Sequence, residues 1–184
     1  MPRLPQWMTN GSGRSSGQFG PDESFAASVL RNPGWTVEPE VSFAIYGERG
    51  VIDQLAWHAP TAHLLIVELK TAIVDVNEML GTLDRKRRLA GAIAAGRGLQ
   101  PALVSVWLVV SDTRTNRRHA REHSTLLKSR LRLDGRQLRA FLRRPSISTS
   151  GLAFWTDSNR GSARPAGSIR GGPDLPQNAG AEAR

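Results

Sequence analysis

A chain of 184 residues with 39% hydrophobic and 22% charged side chains carries apolar material for one domain core. It has no cysteine, which excludes a disulfide scaffold, a thiolate nucleophile and cysteine-ligated zinc or iron–sulfur sites. The net charge of +9 is unevenly spread: residues 1–82 hold five Lys/Arg against nine Asp/Glu, and residues 83–184 hold 20 against seven.

Carboxylates suited to a cation therefore precede arginines suited to phosphate. Only Lys70, Lys86 and Lys128 are lysine, so arginine is also this chain's ordinary surface cation. No apolar run approaches the roughly 20 residues that span a bilayer. Met1-Pro2-Arg3-Leu4-Pro5 does not lead into an apolar signal core. The expectation is a soluble, cytoplasmic protein with no membrane partner.

Taken in order, residues 1–21 read as a disordered tether, residues 22–155 as one domain and residues 156–184 as a disordered tail rich in Gly, Pro, Ser and Arg. Phe25 to Leu30 predicts a short helix, stopped by Asn32-Pro33-Gly34. Trp35 to Tyr46 alternates as a strand, with Val37, Val41, Phe43 and Ile45 on one parity, and Gly47-Glu48-Arg49-Gly50 turns the chain. Val51 to Trp57 and His63 to Lys70 form a hairpin around Pro60-Thr61. Asp75 and Glu78 have capping-box spacing, opening a helix to Ala95 whose apolar stripe runs through Val76, Leu80, Leu83, Ala90 and Ile93. Ala102 to Val110 is a strand apolar on both faces. Thr115 to Ser129 and Asp134 to Arg143 are further helices. The expected architecture is α/β, in the order α-β-β-β-α-β followed by two helices, with a mixed central sheet flanked by helices.

The chemistry lies in charges set within strands that otherwise read as core. Asp53 stands between Ile52 and Leu55, and Glu68 and Lys70 close the run Leu64-Leu65-Ile66-Val67. Burying an unpaired charge costs several kcal/mol, so three such residues call for a reason. Glu68 and Lys70 leave the same strand face. A hairpin whose facing residues sum to 121 pairs Leu55 with Ile66 and Trp57 with Leu64, and brings Asp53 opposite Glu68. Two carboxylates at that spacing repel, and a hard divalent cation, Mg²⁺ or Mn²⁺, removes the repulsion.

Asp53, fourteen residues, then Glu68-Leu69-Lys70, on consecutive strands after a first strand and before a helix, resembles the PD-(D/E)XK nuclease superfamily. That resemblance covers Phe25 to Val110. It implies a restriction-endonuclease-like fold and metal-dependent hydrolysis of DNA phosphodiesters. By it, Asp53, Glu68 and the backbone carbonyl of Leu69 would hold the metal, Lys70 would assist the attacking water, and Glu40 would be an accessory acid. Ile52 replaces the proline of the family name, and Glu23 is the one acid available to the first helix. The alternative is a catalytically inactive nucleic-acid-binding or regulatory module of the same fold.

Arg85, Lys86 and Arg88, with Arg114, Arg117, Arg118 and Arg121, make the expected surface for the DNA backbone. A homodimer is open on the sequence. His119-Ala120-Arg121-Glu122-His123 fits the zinc-peptidase pattern H-x-x-E-H, but the only glutamate after His123 is Glu182, in the tail, and arginine crowds the spot, so it reads as a basic surface helix.

Overall fold

The computed structural model describes residues 21–156. Its elements are α1 (Pro21–Leu30), β1 (Trp35–Ile45), β2 (Glu48–His58), β3 (His63–Lys70), α2 (Val76–Ala95), β4 (Leu103–Ser111), α3 (Arg114–Glu122), α4 (Ser124–Arg130), α5 (Gly135–Arg143) and β5 (Ser150–Trp155). They build an α/β fold around a five-stranded mixed sheet in the order β1-β2-β3-β4-β5. Strand β2 is antiparallel to β1 and β3, whereas β3, β4 and β5 run parallel. The tether and tail expected over 1–21 and 156–184 lie outside the described residues, apart from Pro21, which opens α1, and Thr156. Among the described residues no helix is long and apolar enough to cross a membrane.

Two cores flank the sheet. One joins Leu55, Trp57, Leu64, Ile66, Val106, Leu108 and Val110 to α2, α3 and α4. The other joins Ala56, Leu65, Val67, Trp107 and Val109 to α1 and α5. Strands β3 and β4 thus bury both faces, as their unbroken apolar runs require. The β2–β3 register is the expected one, with Leu55 opposite Ile66 and Trp57 opposite Leu64, and Ala59–Thr61 turns the hairpin.

Four expectations need correction. The β1–β2 turn is Tyr46-Gly47, not residues 47–50: both take positive φ, 53° and 80°, the mirror-image geometry that matches strand twist. The parity of β1 breaks at Glu40 (φ 50°), so Val37 packs on the α1/α5 side while Val41, Phe43 and Ile45 pack on the α2 side. The helix expected over 115–129 is two, because His123 leaves helical geometry (φ −103°, ψ 22°). Finally, the expected order ends in two helices, but the chain adds a fifth strand, β5, after α5.

At the hairpin end of β3 the buried His63 has Nε2 2.7 Å from Ser105 Oγ, and Ser105 Oγ also accepts from the amide of Thr149 at 2.9 Å. Burial, with a smaller contribution from the neighbouring His58, lowers the His63 pKa from 6.5 to about 4. The unfolded chain therefore binds the extra proton between these values. Stability from this group is complete above 6.5 and falls as the pH drops toward about 4. Thermal midpoints across that window should fall in the wild type and flatten in His63→Gln; equal slopes would show that His63 contributes nothing.

Candidate active site

The site forms where two paired strands part. The ladder between β2 and β3 runs from His58–His63 to Gln54–Val67 and ends there, although both strands continue. Beyond it β2 stays with β1, and β3 stays with β4. Asp53 and Glu68 are the next facing positions, at the crotch of this fork. Asp53 caps the ladder: its Oδ2 accepts a hydrogen bond from the Leu69 amide at 2.6 Å, replacing a lost backbone acceptor.

Across the fork lies a lysine that the sequence placed elsewhere. Lys86, on α2, is buried, and its Nζ donates to Glu68 Oε1 on β3 and to the Val51 carbonyl on β2. It is therefore removed from the expected DNA-binding set: a residue 4% exposed, closing an internal ion pair, has no surface to offer a phosphate. The signal was present, since Lys86 follows Leu83 by three residues and precedes Ala90 by four, within the buried stripe of α2. A cation at such a position implies a buried acid facing it.

Glu68 is itself 2% exposed, and its Oε2 lies 3.7 Å from Lys70 Nζ, which is partly open to solvent. Burial pushes the Glu68 carboxyl above the ordinary range, and the Asp53 charge adds to this, while Lys86 and then Lys70 oppose it. The four side chains carry two negative and two positive formal charges. A cavity of about 190 Å³ opens on the α2 side, lined by Glu68, Lys70, Asp75, Met79, Thr82 and Leu108. Asp53 lies outside that lining. Asn116 secures the loop after Lys70: its Oδ1 accepts from the Ile73 amide at 3.0 Å, and its Nδ2 donates to the carbonyls of Thr71 and Ser111. A lone buried asparagine at a helix start gave no sequence signal for this role.

Glu40 is exposed and falls between the pairs Pro39–Gln54 and Val41–Ile52, beside Asp53 in register, in its strained backbone conformation. Among the described residues no cluster of three or more acidic, histidine or cysteine side chains is arranged to hold a metal. The H-x-x-E-H pattern is broken in space as well: His119 Nδ1 is 2.9 Å from the Ile73 carbonyl, and His123 sits at the helix break.

The arginines expected to meet DNA are exposed but not equally available. Arg88 pairs with Glu48 through two hydrogen bonds, Arg117 does so with Asp112, and Arg118 lies 3.5 Å from Glu122. Among the described residues Arg85, Arg114 and Arg121 make no ion pair. Comparison of the chain with family models, curated proteins and solved structures finds no match.

Proposed function

We propose that the protein is a metal-dependent phosphodiesterase acting on DNA, of restriction-endonuclease-like fold, with the β2–β3 fork as its centre. The observation that carries this reading is the facing of Asp53 and Glu68 across the fork, with Lys70 Nζ 3.7 Å from Glu68. The element order α-β-β-β-α-β over Pro21–Ser111 supports the fold assignment.

The donor chemistry fits Mg²⁺ or Mn²⁺. Two carboxylates and the Leu69 carbonyl are hard oxygens, and Mg²⁺ is commonly held by one or two carboxylates with substrate phosphate and water completing the shell. When bound, such an ion would polarise the phosphodiester and lower the pKa of water. The chain's own residues do the rest. Lys86 opposes the effect of burial on Glu68 and holds its carboxyl in place, and Asp53 is held by the Leu69 amide. Lys70, partly exposed at the cavity wall, orients the attacking water and offsets charge on the phosphate. Attack forms a new P–O bond from water and breaks the bond to the leaving sugar oxygen, giving a phosphomonoester and a hydroxyl.

One observation favours a second reading, an inactive nucleic-acid-binding module. The Lys86 ammonium already neutralises Glu68 without any ion. Purified protein on single-stranded, duplex and branched DNA separates the two. Cleavage that requires Mg²⁺ or Mn²⁺ and drops about 10²–10⁴-fold in Lys70→Ala is expected, with His123→Ala unaffected. DNA binding with no metal-dependent cleavage would favour the inactive module.

A further inference from the structure

The fold gathers part of the arginine-rich half into one groove. A groove of about 860 Å³ runs along the edge strand β5, between α3–α4 on one side and α5 on the other. Arg121, Lys128, Arg132, Arg136 and Arg139 line it, all exposed, and none makes an ion pair among the described residues. Among the described residues Asp134 is the one acid in the lining, and its Oδ1 is committed to the amides of Arg136 and Gln137 at 2.9 and 3.0 Å.

The groove is tied to the fork by the sheet itself. Glu68 pairs with Leu108 and Leu108 with Leu152; Lys70 pairs with Val110 and Val110 with Phe154. Leu152 and Phe154 pack with the α2-side core and also line the groove. Its floor therefore lies on the same sheet face as Glu68 and Lys70, two strands away, about 9–10 Å. Measured along the axis of a duplex, that span is about three base-pair steps.

We propose that this groove is the track for the sugar–phosphate backbone of the DNA cut at the fork, gripping it without regard to sequence. This rests on reading the fork as a phosphodiester site. Five guanidinium and ammonium groups with no ion pair among the described residues match a polyanion of regular charge spacing, and phosphate contacts of this kind set register rather than base preference. The Arg85-to-Arg88 face of α2, where Arg88 is held by Glu48, is secondary.

The test measures binding of a fluorescein-labelled duplex by anisotropy across a salt series, in EDTA so that turnover does not enter. Arg132→Ala/Arg136→Ala/Arg139→Ala is expected to weaken binding at low salt at least about tenfold and to reduce the slope of log K against log salt by about 2–3, since each phosphate contact contributes about 0.9. The single variant Arg136→Ala should lower the slope by about 0.9, and Arg49→Ala, exposed on β2, should leave it unchanged. Unchanged affinity and slope in the triple variant, with metal-dependent cleavage intact, would overturn the groove and spare the fork. Wild type that binds no DNA would overturn both. Polyglutamate binding lost in the triple variant, with DNA binding retained, would also overturn it and assign the groove to an acidic protein.

Discussion

Replacing Lys86 with methionine is expected to destabilise the domain by about 3–5 kcal/mol, the cost of leaving one member of a buried ion pair uncompensated. Glu68 is 2% exposed and its Oε1 is the acceptor for Lys86, so the variant leaves that oxygen without its cation. Glu68→Gln/Lys86→Met should recover most of the loss, because the second change removes the stranded charge. The deficit also depends on pH. Glu68 already sits above the ordinary carboxylate range through burial, and loss of Lys86, which opposes that shift, moves it further up. The folded variant then binds the proton more readily than the unfolded chain, so its stability falls as the pH rises above the ordinary range, and the gap to wild type is widest at neutral pH. Urea unfolding measures this; a Lys86→Met variant within about 1 kcal/mol of wild type at neutral pH would show that the pair is not the brace of the fork.

Asp53→Asn is expected to lower cleavage by about a thousandfold or more, the several kcal/mol that charge stabilisation by a bound cation supplies. The substitution is chosen for what it keeps: the amide oxygen of asparagine can still accept the Leu69 N–H that Asp53 Oδ2 accepts at 2.6 Å, so the ladder stays capped. What it removes is one negative charge, leaving Glu68 alone beside Lys70 and Lys86, an arrangement that repels a dication. DNA affinity in EDTA should be undiminished, because the basic groove is untouched. Single-turnover cleavage on one substrate measures the effect. Activity within about tenfold of wild type would remove Asp53 from the reaction.

Much of the fork is legible in the sequence. Alternation along Val51 to Trp57 and the Pro60 turn specified the register, since a one-residue slip would expose Leu55 and Trp57. Charges in otherwise apolar strands then marked Asp53, Glu68 and Lys70. Lys86 was not legible by the same logic, because a cation on an arginine-rich helix reads as a solvated residue until the stripe through Leu83 and Ala90 is seen to include it. The parity break in β1 was hidden too: nothing in Pro39-Glu40-Val41 announces that Glu40 takes a left-handed backbone, and the uninterrupted odd positions imply one face. Strand β5 carries little sequence signal, since it is short and opens on Ser150-Gly151. Gly151 is required by packing, since a Cβ there would lie 2.5 Å from Trp107 Cζ3 and 2.7 Å from the Leu133 carbonyl oxygen. The groove needed the fold, because Arg121 and Arg139 are brought together by β5 and not by sequence.

The claim at the centre is that Asp53 and Glu68 share a cation. Titration of the wild-type protein with Mn²⁺, following the free-ion electron paramagnetic resonance signal with and without duplex DNA, tests it without relying on turnover. The account predicts saturable loss of the free-ion signal at a single site, tightened by DNA through its phosphate oxygens and abolished in Asp53→Asn. A signal that falls no further with wild type than with Asp53→Asn, in the presence of DNA, would contradict it.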